Sequence, residues 1–580
     1  MTVFRVWAPK AERVDVQLGA REGTANRTPM QRGEHGWWSV DIPRAGPGTT
    51  YWFVRDGGEP MPDPRSAYQP RGPFGPSQVV DQDAFGWTDH GFQAPPLSSG
   101  VLYELHIGTF TPEGTFESAI SRLDHLKDLG VTHIELMPVA EFAGTRNWGY
   151  DGVDLFAPES AYGGPEGLKR FVDGAHAKGL AVILDVVYNH FGPSGNYTTQ
   201  FGPYVTERYH TPWGQGVNLD DHGSDDVRRF FLDNALMWLR DYHFDGLRLD
   251  AVQELYDQSA LHFLEELSRE VKALEAREGR HLVVTAESDL NNPRLVRAWE
   301  AGGYGLDAHW LDDFRHALHT VLTGEQNGFH ADFGRLADLA DSLRHAYVYD
   351  GRYSQYRSRR HGRPVEGLPG SRFVGFVENH DQVGNRARGE RAAALMSPGR
   401  FKVAMTLLFT APFVPMLFQG EEWGTRSPFL FFTDHEDPEL ARAVSEGRRR
   451  EFAAFGWTDI PDPQDPATFE RSKVNWGEMR QPPYADLLDW TKRLIALRRA
   501  TSELRDGNLT RVDVTFDEGN RWLVMRRNDV RVAVNLADHV QRVPLPGSDE
   551  STLLLASELR VELVHDAIAL PADSIAIVAG

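Results

Sequence analysis

Between residues 101 and 498 the chain alternates continuous apolar runs of strand length with stretches of helical period, and this alternation constrains the fold more than any other feature. The runs are VLYELHIG (101–108), VTHIELMP (131–138), LAVILDVV (180–187), FDGLRLDA (244–251), HLVVTAES (281–288), GLDAHW (305–310), FVGFVEN (373–379) and VPMLFQGEE (414–422). Such runs fit strands buried on both faces, as parallel strands joined by helical crossovers are. Thr115 is placed to cap a helix whose Phe116, Ile120, Leu123 and Leu126 share one face and which Gly130 can end. A second helix starts after Gly164 with Pro165 in its first turn and stops at Gly179, and others are expected over 225–242, 258–278, 399–411 and 484–498. No Gly-rich dinucleotide fingerprint follows any strand, and eight is the number that closes a barrel. The α/β pattern therefore predicts a (β/α)8 TIM barrel rather than an open sheet.

A barrel takes about 250 residues or more, so a chain of 580 has room for satellites. Residues 1–95 alternate apolar and polar positions over short segments such as Val3 to Trp7, Val14 to Leu18 and Trp37 to Ile42, which predicts an N-terminal β-sandwich. Glu59 to Pro76 is rich in Pro and Gly and reads as extended, and QAPPLSSG (93–100) reads as a linker into a catalytic barrel at 96–500. From 501 to 580 the segments WLVMRR, RVAVNLA, TLLLAS and SIAIVA predict a C-terminal β-sandwich.

Barrel active sites lie where the strands end, so polar residues that close an apolar run are the candidates. The third run ends in Asp185 with Asn189 and His190 beyond it, the fourth carries Arg248 and Asp250, the fifth ends in Glu287, and the seventh runs into His380 and Asp381. One acid at a strand end is equally well a helix cap or a salt-bridge partner. Four strand ends that converge on one mouth are not, because acids that share a pocket cannot all be solvated and charged.

With 83 acidic and 61 basic residues the chain carries a net charge of -22, which disfavours nucleic acid and anionic membrane surfaces as partners. It has no cysteine, so thiolate metal sites and disulfides are excluded, and no phosphate loop. No cofactor is expected. No metal is expected either: the loop from Tyr188 to Asp225 lacks calcium-loop spacing, and Asp220 and Asp221 read as solvated. The start MTVFRVWAPK shows no leader pattern and no run reaches membrane length, so a cytoplasmic protein is expected. Three carboxylates in this setting suit glycoside hydrolysis, in which one attacks the anomeric carbon, one protonates the leaving oxygen and a third holds hydroxyls as positive charge develops. Arg248 shares a strand face with Asp250 and can pair with it, while that negative charge favours a protonated Glu287. Aromatic loops such as RNWGYDG (146–152) and YHTPWGQG (209–216) offer faces on which sugar rings pack.

DVVYNH (185–190), GLRLDAV (246–252), AESD (286–289) and ENHD (378–381) resemble, in order, the four sequence regions of glycoside hydrolase family 13, the α-amylase family. The resemblance implies Asp250 as nucleophile, Glu287 as acid/base and Asp381 as transition-state stabiliser. It places Tyr150, His190, Arg248 and His380 on the sugar ring being cleaved. Asp185, Leu249, Ala251 and Val252 around them, and Gln382 and Asn385 just after Asp381, are taken as substrate contacts as well. FRVWAPKAERVDV resembles a family 48 carbohydrate-binding module.

Within that family, NWGYDGVDLFAPESAYGGP (147–165), LYELHIGTFTPEGTF (102–116), HDQVGNRARGE (380–390), FLFFTDHE (429–436) and GRRREFAAFGW (447–457) resemble the members that release trehalose from a trehalose-capped maltooligosaccharide. That resemblance implies an oligosaccharide substrate and, acting before this chain, an enzyme that forms the capped chain. Where amylases carry Lys-His after the nucleophile this chain has Gln253 and Glu254, so the leaving group is read differently. Asp312, Asp313 and His316 in LDDFRH (311–316) stand at the same mouth, either as partners for hydroxyls or as a helix cap followed by a solvated turn. Branching or debranching on the same barrel is the first alternative. A sugar-binding relative without catalysis is the second, and the presence of all three acids speaks against it. Whether the segment from about 325 to 370 folds over the site is open at this level.

Overall fold

In the computed structural model, which describes every residue except 1, 24–25, 454–455, 458 and 549–550, eight parallel strands close into a barrel. They are β1 (Leu102–Leu105), β2 (His133–Leu136), β3 (Ala181–Val186), β4 (Gly246–Leu249), β5 (Val283–Ala286), β6 (Ala308–Trp310), β7 (Phe373–Phe376) and β8 (Val414–Phe418), with β8 paired to β1. The strands are shorter than the apolar runs. After β1 the chain turns into a short helix at Ile107–Phe110, and after β7 and β8 it leaves the sheet through residues that remain buried, such as Val377 and Gln419. Burial in the loops above the barrel, not strand pairing, keeps those stretches from being solvent-facing.

The outer layer holds α1 (Leu123–Leu129), α2 (Gly164–Ala177), α3 (Ser224–Asp241), α4 (Phe263–Glu278), α5 (Asp312–Thr323), α6 (Leu336–His345), α7 (Pro398–Thr410), α8 (Pro438–Ala453) and α9 (Tyr484–Ala500). The single helix expected from Phe116 is two: Thr115 caps Phe116–Ile120 in a capping box with Ser118, and α1 follows and ends at Gly130, whose φ of 102° needs a glycine. Helix α4 begins five residues later than its expected start at 258. Asp257 accepts the Phe263 N–H at 2.6 Å and the His262 ring accepts that of Leu264 at 3.2 Å, which satisfies the first turn there.

Alternate residues of a strand face the same way, so Leu102 sits below Glu104 on β1 and Ile183 below Asp185 on β3. The barrel floor is accordingly apolar, with Leu97, Leu102, Ile183, Val283, Val374 and Val414 in one cluster. Leu97 comes from the 93–100 segment, so that segment plugs the barrel as well as leading into it. The upper level is charged, and it forms the base of the site.

Before the barrel, a three-stranded sheet containing Thr2–Trp7 and Trp37–Ile42 packs on a five-stranded one containing Val14–Leu18 and Thr50–Arg55, with Phe4, Val6, Val16, Trp38 and Phe53 inside. Trp37 Nε1 donates to Asp226 of α3 at 2.8 Å, which ties this sandwich to the helix layer. After the barrel, Val512–Asp517, Trp522–Arg527, Val530–Asn535, Ser574–Ala579 and Thr552–Ala556 form one sheet and Gln541–Pro544, Ala567–Leu570 and Glu562–Val564 another. Val524, Val543, Ile568 and Val578 lie between them.

Candidate active site

Arg248 organises the upper level. Its side chain is fully buried, and its guanidinium sits 4.2 Å from the centre of the Trp310 ring at the end of β6. Nη1 donates to Asp185 Oδ1 and Oδ2 at 2.9 and 2.7 Å and to Asp250 Oδ1 at 2.9 Å. Nη2 lies 3.1 Å from Glu287 Oε2. One cation thus serves three acids from three neighbouring strands, which the register makes possible: Asp185 and Thr285 flank Arg248 on β3 and β5. Desolvation pushes the Asp185 carboxyl up to about 6 in spite of the guanidinium.

Asp250 follows β4 and has both oxygens engaged, Oδ1 by Arg248 and Oδ2 by Asn189 Nδ2 at 2.7 Å, so its orientation is fixed. The next residue, Ala251, is left-handed with φ 39°. That turn aims its N–H at Glu287 Oε2, 2.8 Å away, and the following N–H of Val252 meets the Glu287 carbonyl at 3.1 Å. Burial pushes the Glu287 carboxyl well above the usual range, and the charges of Asp250 and Asp381 add to this against the pull of Arg248. A carboxyl shifted in this direction beside an acid whose orientation is fixed is an arrangement that suits a glycosidase pair.

Asp381 stands at the rim with 38% of its side chain exposed, whereas Asp250 lies deeper at 10%. His380 Nε2 is 3.5 Å from Asp381 Oδ1, and Asn385 Nδ2 donates to the same oxygen at 3.4 Å. The Tyr150 ring stacks on His380 at 5.1 Å, and its hydroxyl donates to Asp185 at 2.6 Å. His190 Nε2 reaches the Tyr150 carbonyl at 2.9 Å, and exposed Trp213 of the hairpin Val205–Thr211/Gly214–Val217 stacks on His190 at 4.7 Å. The residues expected around the cleaved ring are thus together.

A cleft of about 470 Å³ opens beside Glu287 and Asp381. Asp312, His316, Gln382 and Asn385 line it, as expected; so do Asp289, Phe329, Tyr356, Arg357 and Arg359, which were not singled out. The last four answer the question of the 325–370 segment: it forms a wall of the cleft, with Arg357 donating to Asp289 at 3.0 Å. Asp289 was legible as the last residue of AESD; the others stand in a segment without periodicity.

Several expectations are corrected. LDDFRH opens α5 and is not a solvated turn, because Phe314, Ala317 and Leu318 bury its inner face. Asp313 does not line the cleft: its Oδ2 accepts from Asn291 and from the N–H groups of Val348 and Tyr349, all at 2.7 Å, and so anchors the strand pair that carries Tyr356 and Arg357. Leu249 alternates with Arg248 and Asp250 and packs into the helix layer, as does Val252, so neither faces substrate. Asp220 is not solvated; its side chain is 3% exposed and accepts from the Tyr209 hydroxyl and the Gln258 N–H, both at 2.8 Å. Gln253 and Glu254 form the turn Val252–Glu254 just after Asp250, Glu254 accepting from Tyr256 at 3.2 Å. Residues 454 and 455 of the GRRREFAAFGW stretch lie outside the described residues, but Arg448 from the same stretch reaches the Asn385 side chain at 2.9 Å. Among the described residues no group of three His, Asp or Glu side chains is arranged to hold a metal ion.

A closed barrel with a buried arginine that serves three acids at its mouth defines a glycoside hydrolase of the α-amylase type. The comparisons agree with this class. The α-amylase catalytic domain model matches residues 76–211, the carbohydrate-binding module 48 model residues 1–67, and a C-terminal domain model of unknown function residues 507–577. A malto-oligosyltrehalose trehalohydrolase of Rhizobium sp. (strain M-11) is 47% identical over 99% of this chain and 97% of its own, and that of Arthrobacter ramosus is 49% identical over 94% of each. A crystal structure from Salmonella typhimurium, provisionally described as an alpha amylase, superposes with a TM-score of 0.90 at 38% identity over 100% of this chain and 97% of its own. The chain belongs to the malto-oligosyltrehalose trehalohydrolase family.

Proposed function

We propose that this hydrolase cleaves the α-1,4-glucosidic bond next to the terminal α,α-trehalose of a maltooligosyltrehalose, releasing trehalose and a shorter maltooligosaccharide. Asp250 attacks the anomeric carbon while Glu287 gives its proton to the glycosidic oxygen, and trehalose leaves. Glu287, now ionised, takes a proton from water, which opens the glycosyl ester, and Asp381 stabilises the positive charge that develops in both steps.

The observation that carries the substrate reading is the cleft on the Glu287 side. A proton donor must face the leaving oxygen, so the residues beyond Glu287 face the leaving group. There Asp289, Asp312, His316 and Arg357 converge. Gln382 lines the same cleft, and its amide oxygen Oε1, like that of Gln253 in the turn after Asp250, is buried without a protein partner. Acceptors of this kind suit the hydroxyls of a non-reducing disaccharide sharply bent at its 1,1 linkage. A linear maltosyl group that leaves one or two of them unpaired loses about 1 to 3 kcal/mol each, or about 10- to 10⁴-fold in discrimination. The names of the full-length relatives support the same reading.

Incubation with maltooligosyltrehalose and with a plain maltooligosaccharide of equal length tests it. Free trehalose and a kcat/KM at least tenfold higher for the capped chain are expected. Equal cleavage of both, or new α-1,6 branches, overturns the reading. Such a substrate has to be made before it is cut, so the proposal includes a preceding enzyme that forms the trehalose cap. It also includes cytoplasmic residence, which cell fractionation checks.

A further inference from the structure

Two buried carboxyls beneath the cleft take no part in the chemistry above. Glu104 on β1 and Glu135 on β2 are register partners, each 1% exposed, at the charged level of the barrel interior. They are in opposite situations. Neither oxygen of Glu135 has a hydrogen-bond partner, and burial together with the charge of Glu104 pushes its carboxyl well above the usual range. Glu104 is fully engaged by one residue. Its Oε2 accepts the backbone N–H of His380 at 3.0 Å and its Oε1 meets the ring Nδ1 of His380. The other ring nitrogen, Nε2, is the one 3.5 Å from Asp381.

We propose that Glu104 is a positioning residue for catalysis: by meeting both the backbone N–H and the ring Nδ1 of His380 it holds the ring as a fixed imidazolium whose Nε2–H is presented to Asp381 and the sugar. The contact is not needed as a helix cap, since Asn379 already fills that place by accepting the Gln382 N–H at 2.8 Å. The remaining charged surroundings of His380 divide. Arg248 and His106 oppose a positive ring, whereas Asp185 and Asp381 favour it. Tyr150 stacks on one face and Trp148 meets the ring edge-on at 5.6 Å. Burial pulls the imidazolium down, but Asp381 and Glu104 carry it up to about 9, so the ring is charged at neutral pH. Among the described residues no other buried acid reaches Nδ1.

The proposal depends on the hydrolase chemistry of the site and not on the trehalose preference, and its first readout needs no substrate. ¹⁵N NMR of histidine-labelled protein, with the His380 signal assigned by its loss in His380→Gln, should show both ring nitrogens protonated through pH 8. In Glu104→Gln the amide can accept from only one of the two N–H groups and turns its NH2 on the other, which favours a neutral ring accepting at Nδ1. The His380 titration should then move at least one pH unit lower. Loss of one charge-assisted hydrogen bond predicts a kcat about 10- to 100-fold lower with KM changed less. In a His380→Gln background the same substitution should change kcat no more than about twofold, because the two residues act as one unit. A neutral His380 at pH 7 in the unaltered protein overturns the proposal, whether or not the Glu104 variant folds. An unchanged titration in Glu104→Gln, or losses that multiply in the double variant, overturns it as well.

Discussion

Ala251 donates its backbone N–H to Glu287 Oε2 at 2.8 Å. The peptide that leaves Asp250 therefore also holds Glu287, the two residues proposed as nucleophile and acid/base, and one left-handed residue at φ 39° sets the spacing of the two carboxyls. Position along two neighbouring strands brings them close, but this bond fixes which oxygen of Glu287 remains free for the leaving group.

That geometry predicts a retaining reaction. A carboxylate pair on adjacent strand ends suits the separation of about 5 to 5.5 Å needed for direct attack, not the about 6.5 to 9.5 Å that admits an inverting water. Proton NMR of the first product should show the α-anomer of the maltooligosaccharide. A β-anomer at early times rules out Asp250 as nucleophile.

Glu287→Gln should abolish turnover and keep the fold. The amide retains an oxygen for the Ala251 N–H but has no proton for the leaving oxygen, and general acid catalysis is worth about 10²- to 10⁴-fold. Because burial already disfavours the charged form of the native carboxyl, the neutral amide adds no desolvation cost and thermal stability should not fall. Activity within a few-fold of the parent would assign the proton to another residue.

Arg248→Met should destabilise the barrel. It leaves Asp185 and Asp250 buried without their cation, a change that costs about 3 to 5 kcal/mol when one partner of a buried pair is removed. Urea unfolding measures this, and a midpoint equal to that of the parent would mean that water reaches the acids and replaces the guanidinium.

Asp312 gives a pH dependence of stability. Burial, reinforced by Asp289 and Asp313, raises its carboxyl to about 7 in the fold, against about 3.9 in an unfolded chain. Between those values the folded state holds a proton that the unfolded state has lost. The contribution is complete below about pH 4, is lost as pH rises, and is gone above about pH 7. Asp312→Asn mimics the protonated form, so its melting temperature relative to the parent should rise from pH 5 to pH 8. A difference that is the same at both values contradicts the assignment.

Strand and helix were readable because both are local periods. LAVILDVV shows a strand buried on both sides, and Asp185 at its end shows where the run meets the mouth. Where a second force keeps residues buried, the reading ran long, as in VPMLFQGEE, where Gln419, Glu421 and Glu422 are buried in a loop and not in β8. The four motifs brought the three acids and Arg248 to one site correctly, since barrel closure gives every strand end the same mouth.

By itself, then, the sequence determined the barrel, its two sandwiches and which polar residues stand at the strand ends, because spacing along the chain states which side of a strand a residue occupies. Only the tertiary structure decided what each polar group meets. Asp313 turns to the backbone of Val348 while its neighbour Asp312 lines the cleft, and the 325–370 segment becomes a wall because that backbone is anchored. Glu104 meets His380 across 276 residues of chain. No local period encodes that pairing: it exists because β8 closes against β1 and sets Glu104 in the barrel interior beneath the end of β7, where His380 offers it a backbone N–H and a ring nitrogen.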